Sequence, residues 1–123
     1  MIIRRKIGPR MSQVVTHSGA TVYVSGQVAD DGKVSIQEQT RQVLAKIEAL
    51  LSEAGATKSH LLAVNVYLPN ITDFDAMNSV YDAWIDPLNP PARACIEARL
   101  ADPNLRVEMT AVASLEGSDS DAR

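Results

Sequence analysis

Hydrophobic and polar positions along the chain change period several times, and each change predicts an element boundary. Ile2-Ile3 and Ile7 bracket the basic run Arg4-Arg5-Lys6, which reads as a short strand over residues 1–6 with its charges at a sheet edge. After the Gly8-Pro9 loop, residues 13–17 read as a second strand. Ser18-Gly19-Ala20 turns the chain back into a β-branched hairpin partner, Thr21-Val22-Tyr23-Val24-Ser25. Asp30-Asp31-Gly32-Lys33 is a turn. Ser35 with Glu38 three positions on forms a capping box, and Ile36, Val43, Leu44, Ile47, Leu51 and Ala54 then recur at helical spacing up to a left-handed cap at Gly55. Residues 61–68 read as a buried strand with Leu62, Val64, Val66 and Leu68 on one face.

A second helix starts at Thr72-Asp73-Phe74-Asp75, where two acids suit the helix dipole, and carries Phe74, Met77, Tyr81, Trp84 and Ile85 at core spacing. The prolines between 87 and 91 end it. Two strands follow, over 92–100 and 105–115, joined by Ala101-Asp102-Pro103-Asn104. The order predicts one α+β domain over residues 1–116, with two helices on one face of a mixed sheet and a disordered polar tail over 117–123. Nothing in the chain is left to cover the other face of the sheet, which points to association between copies.

Composition narrows the field without choosing within it. The 123 residues make one domain, and 46% hydrophobic with 22% charged residues is ordinary for a soluble globular protein. A net charge of -3 speaks against nucleic-acid binding. No apolar run approaches a membrane span, and Gly8-Pro9-Arg10 interrupts the place where a secretory signal would lie. A single cysteine forms no disulfide framework and suits a reducing cytoplasm, so the Asn70-Ile71-Thr72 sequon carries no weight. His17 and His60 show no metal-ligand spacing.

One stretch carries chemistry. In Pro90-Pro91-Ala92-Arg93-Ala94-Cys95-Ile96-Glu97-Ala98-Arg99, strand alternation puts Ala94, Ile96 and Ala98 on the apolar side and Arg93, Cys95, Glu97 and Arg99 on the other. Arg93 suits a small carboxylate, because its planar fork makes two parallel hydrogen bonds. The plainer alternative is a structural ion pair with Glu97 or Glu108. Cys95 has no histidine nearby in sequence and reads as a small hydrophobe.

Gly8-Pro9, Ser12-Gln13, Val24-Ser25-Gly26-Gln27, Asn78, Pro91-Ala92-Arg93-Ala94-Cys95-Ile96-Glu97 and Val107-Glu108 occur in an order that resembles the Rid family of reactive intermediate deaminases, also called YjgF. The resemblance spans residues 7–114. It implies a chorismate-mutase-like fold, a homotrimer with pockets between subunits, no metal or organic cofactor, and hydrolysis of 2-imino acids, formed from enamines such as 2-aminoacrylate, to 2-keto acids and ammonia. It implies Arg93 as the carboxylate-binding residue and Glu108 as the residue that positions or activates water, both catalytic. Ser25, Gly26, Asn78 and Cys95 would line the pocket. Met11 stands where active members often carry tyrosine, and Arg10 beside it offers a second cation. Two other readings stay open: a non-catalytic trimer that binds small carboxylates, and a deaminase for a larger enamine.

The geometry adds one expectation. A hairpin closed by Leu100 and Leu105 would pair Arg93 with Val112 and Glu97 with Glu108. Glu108 would then lie ~13 Å along the sheet from Arg93, so the two would come from different chains in any one pocket.

Overall fold

Ser35 caps helix α1 (Ile36–Ala54) by accepting a hydrogen bond from the Glu38 amide at 3.1 Å, while Gly55 closes it in the left-handed region at φ 89°. Ile36, Val43, Leu44, Ile47 and Leu51 of its apolar stripe are buried, each contributing roughly 1.5–3 kcal/mol by leaving water. Ala54, expected on the same stripe, is exposed. The computed structural model describes residues 1–116; the polar tail 117–123, expected to be disordered, lies outside the described residues.

The main sheet holds four strands, β3 (Thr21–Val28), β4 (Leu61–Leu68), β5 (Ala92–Glu97) and β6 (Glu108–Ser114), in the order β3-β6-β4-β5. Strand β6 runs antiparallel to both β3 and β4, while β4 and β5 are parallel and joined through helix α2 (Phe74–Trp84). Helix α1 likewise joins β3 to β4, and β6 fills the gap between them. Both helices pack on one side of this mixed sheet, around Val43, Leu44, Ile47, Leu51, Val64, Val66, Met77, Tyr81, Met109 and Ala111. The α+β architecture agrees with the sequence.

The strand pairing does not. Strands β1 (Ile2–Ile7) and β2 (Ser12–His17) pair with each other in a separate ribbon, so the expected hairpin between residues 13–17 and 21–25 is absent. β5 and β6 do not pair either, because the crossover through α2 carries β5 beyond β4. The expected partners Arg93–Val112 and Glu97–Glu108 therefore give way to Arg93 beside Val64 and Glu108 beside Tyr67. The faces of β5 are also reversed. Arg93 and Cys95 align with the buried Val64 and Val66 on the helix side, whereas Ala94 and Ile96 align with Asn65 and Tyr67 on the open side.

Arg4 is not a solvated edge charge. Its guanidinium donates to the carbonyls of Ser59, Leu61 and Pro90 at 2.8–2.9 Å, and Ser12 donates to Pro90 and Pro91. These bonds hold the ribbon, and with it the loop carrying Arg10 and Met11, against the approach to β5. The open face of the sheet shows Tyr23, 79% exposed, and Ile96, 51% exposed, with Asn65 and Ala94, and no described element covers it. No described helix is long and apolar enough to cross a membrane.

Candidate functional site

The β4–α2–β5 crossover lays α2 over the start of β5, so that residues one turn apart on the helix meet the first side chains of the strand. Arg93 Nη1 donates to Asn78 Oδ1 at 2.8 Å, and its guanidinium carbon stands 4.6 Å from the centroid of the Tyr81 ring. At that distance the ring face attracts the cation. Met77 Sδ is a weaker neighbour at 3.9 Å. Arg93 therefore makes neither of the structural ion pairs considered from sequence; Glu97 instead accepts from the Ile71 amide at 3.0 Å.

The surroundings are rich in donors. Arg93 Nε, Asn78 Nδ2 and the Tyr81 hydroxyl are buried without a protein hydrogen-bond partner, and Nη2 of Arg93 is accessible and uncommitted. Burial lowers the pKa of Arg93, but a guanidinium titrates too high to lose its proton. Tyr81 is pushed up to about 12, by burial first and against the pull of Arg93, so it remains a neutral phenol. Cys95 lies one strand step beyond, half-buried. Burial raises its pKa and Arg93 only partly opposes this, so the protonated thiol is favoured and the residue lines the site.

Arg10 reaches the same neighbourhood from the ribbon. Its guanidinium carbon lies 5.9 Å from the centroid of Phe74, the same distance as that of Arg93. It is not a free cation. Nε and Nη2 donate to the two carboxylate oxygens of Asp82, both at 2.7 Å. Met11, whose carbonyl accepts from the Gly8 amide, is half-buried in the loop between Arg10 and Ser12.

A second group forms elsewhere. The register of β3 on β6 shifts between Val24 and Gln27, so Ser25 and Gly26 form a bulge opposite the start of β6. A Cβ on Gly26 would run into the carboxylate of Glu108. Glycine is needed there for space, because the glutamate folds over its backbone. Glu108 shares its face with Thr110 and Val112, on the side of the sheet away from the helices.

The structure thus brings Asn78, Arg93 and Cys95 together, with Arg10 and Met11 on the adjoining loop, and separately brings Ser25, Gly26 and Glu108 together. Within one chain it does not join the two groups. Sequence reasoning missed Tyr81, Phe74 and Asp82. Their spacing places Tyr81 and Phe74 in the core, where Tyr81 is buried and Phe74 packs against the cluster, but it does not reveal that both rings also stand against Arg93. A groove of about 380 Å³ between α1 and α2, lined by Leu44, Glu48, Lys58 and Trp84 among others, takes in none of these residues. Among the described residues no group of three or more His, Cys, Asp or Glu side chains could hold a metal.

Comparison with known proteins gives consistent matches over almost the whole chain. The family model described as Endoribonuclease L-PSP matches residues 6–115. A RutC family protein of Haemophilus ducreyi is 41% identical over 115 residues, covering 94% of this chain and 97% of the relative. The crystal structure of a YjgF family member from Neisseria meningitidis superposes with a TM-score of 0.76 at 40% identity, covering 96% of this chain and 98% of that one. A Rid family protein from Yersinia pestis gives a TM-score of 0.72 at 32% identity, covering 88% and 89%.

Proposed function

We propose that this chain, which belongs to the Rid family (YjgF or RutC, described also as Endoribonuclease L-PSP), is a deaminase that hydrolyses 2-imino acids and their enamine tautomers to 2-keto acids and ammonia. The observation that carries the reading is Arg93. Its guanidinium is oriented by Asn78 and the Tyr81 ring, has donors to spare, and meets no protein carboxylate. An uncommitted, oriented guanidinium in donor-rich surroundings suits a substrate carboxylate.

In this reading Arg93 holds the carboxylate and leaves the adjacent C=N carbon open to water. Glu108 positions that water and accepts its proton as oxygen bonds to carbon. The carbinolamine then collapses: Glu108 returns its proton to nitrogen, the C–N bond breaks as the hydroxyl oxygen forms C=O and gives its own proton back to the carboxylate, and ammonia leaves a keto acid. Such proton transfer is worth typically ~10²–10⁴-fold, enough for an imine that already hydrolyses readily in water. Backbone amides at Gly26 or Cys95 would polarise the developing charge. Every step uses this chain's own groups and water.

Arg93 and Glu108 of one chain face opposite sides of the sheet, so the reading requires a site built by two chains. A homotrimer that buries the open face around Tyr23, Asn65, Ala94 and Ile96 would supply it. The family description names an endoribonuclease, but a net charge of -3 works against holding a polyanion. The test generates 2-aminoacrylate in situ and follows keto-acid release. Wild type should accelerate it and Arg93→Ala should not. Equal rates for the two would remove this reading and leave a carboxylate-binding module.

A further inference from the structure

Arg10 and Arg93 approach one ring, Phe74, each with its guanidinium carbon 5.9 Å from the centroid. Twice that distance is the most that can separate the two, a span that a short dicarboxylate bound between two guanidinium groups can bridge. Two such arginines, both free, would make a dicarboxylate site. They are not both free. Asp82 takes the Nε–Nη2 edge of Arg10 in a bidentate pair, with each bond at 2.7 Å, and sets its negative charge against the guanidinium. The pair is partly open to solvent, with side-chain exposures of 32% and 42%, so it borders the site without being locked into the core.

The surrounding charges favour this arrangement. Asp82 follows Tyr81, the residue beneath Arg93, and feels both arginines; its carboxyl titrates below the usual range because of the Arg10 hydrogen bonds first and the Arg93 charge as well. Asp75, two turns earlier on α2, adds to the negative field at Arg10. A second substrate carboxylate would have to displace Asp82 from Arg10 or lie beside its negative charge. Either costs binding energy that an uncharged side chain does not lose.

We infer that Asp82 is a specificity-determining residue which, by occupying Arg10, restricts the site to monocarboxylates with uncharged side chains and excludes dicarboxylates. This rests on the proposed reading that Arg93 binds the substrate carboxylate. Phe74, 5.9 Å from each arginine, is then the surface that the uncharged side chain meets. Arg10 is a latent second clamp, masked by its neighbour.

The experiment compares wild type, Asp82→Asn and the double variant Asp82→Asn/Arg10→Ala. Substrates are the 2-imino acids of leucine and of glutamate, generated in situ by amino-acid oxidases, and the readout is the ratio of kcat/KM for the dicarboxylic over the monocarboxylic imine. Asp82→Asn should raise that ratio about tenfold or more, and removing Arg10 as well should return it to the wild-type value. A ratio that stays within about twofold of wild type in Asp82→Asn, or a gain that survives loss of Arg10, overturns the inference. A parallel calorimetric titration with pyruvate and 2-oxoglutarate reads the same selectivity without turnover. If wild type hydrolyses neither imine, the deaminase reading fails while this binding arm still decides the role of Asp82. If neither keto acid binds any of the proteins, the inference falls.

Discussion

Arg93 and Glu108 of one chain lie on opposite faces of the same sheet. Arg93 stands beside Val64 and Glu108 beside Tyr67, three positions apart on the strand that separates them. Three steps along a strand are about 10 Å and reverse the face. The arginine looks toward the helices, where Asn78 and Tyr81 hold it, and the glutamate looks away from them, folded over Gly26. On the proposed reading each chain carries two half-sites of complementary chemistry, an anion clamp and a carboxylate base, too far apart to serve one small molecule together.

The clamp depends on Asn78 accepting from Arg93. Asn78→Leu leaves the buried Nη1 without its acceptor and should cost about 1–3 kcal/mol in urea denaturation. Asn78→Asp separates stability from function. It gives Arg93 a charged partner, so folding should suffer less, while the carboxylate affinity of the neutralised guanidinium should fall, raising KM about tenfold or more. An Asn78→Asp protein with unchanged KM would show that Asn78 does not act through Arg93.

Tyr81 supports Arg93 with its ring and not with its hydroxyl, which is buried without a protein partner. Tyr81→Phe should change stability by less than about 1 kcal/mol and keep the activity. Tyr81→Ala should cost about 3–5 kcal/mol from the cavity, and it should raise KM as the guanidinium loses its platform. Chemical denaturation and steady-state kinetics on the two variants separate ring from hydroxyl.

Gly26→Ala places a Cβ against the Glu108 carboxylate. A glutamate is a flexible side chain and can move aside, so stability should fall by only about 1 kcal/mol, but the carboxylate can no longer lie where it does. The expected result is a loss of kcat close to that of Glu108→Gln, with little further loss when the two substitutions are combined. Independent, additive losses would show that Gly26 does not serve to seat Glu108.

The Arg10–Asp82 pair gives a pH signature. The folded-state pKa of Asp82 is depressed, by the Arg10 hydrogen bonds above all, so its stabilising contribution is present above the unfolded carboxylate pKa. That contribution is lost as pH falls through the folded value. The pair is partly exposed, so the contribution is modest, at most about 1 kcal/mol. Asp82→Asn should be less stable than wild type by that amount at pH 7. The two should converge as pH falls through the depressed folded-state pKa of Asp82, below the ordinary carboxylate range. Urea denaturation at pH 7 and along a descending acid series checks this.

Local pattern was legible in the sequence and long-range pairing was not. The stripe of α1, its Ser35 and Gly55 ends, and the buried Leu62, Val64, Val66 and Leu68 face of β4 follow from spacing and capping chemistry, which act over a few residues. The β5–β6 hairpin failed because four intervening residues suggest a hairpin, whereas the choice is made by which strand must be central. The signal was there: β5 carries Arg93 and Glu97 and suits an edge, while β6, with Met109, Ala111 and Ala113, suits the interior. The same error reversed the faces of β5, since a half-covered edge strand can put its charged residues under a helix when the helix supplies partners. Of the candidate residues, Arg93 stands out by strand alternation and Asn78 by resemblance, and the two meet in space. Tyr81 could have been added from its position three after Asn78. The Asp82 pairing could not, because it depends on where the separate β1–β2 ribbon docks.

The central claim, that one working site takes Arg93 from one chain and Glu108 from another, is tested most directly by mixing two inactive variants. Arg93→Ala and Glu108→Gln are each purified, then denatured and refolded together in equal amounts, and assayed for imine hydrolysis. Random assembly across subunits should give about a quarter of the sites both native residues, and so restore about a quarter of wild-type activity. A mixture that assembles normally yet stays as inactive as its components would contradict a site shared between chains.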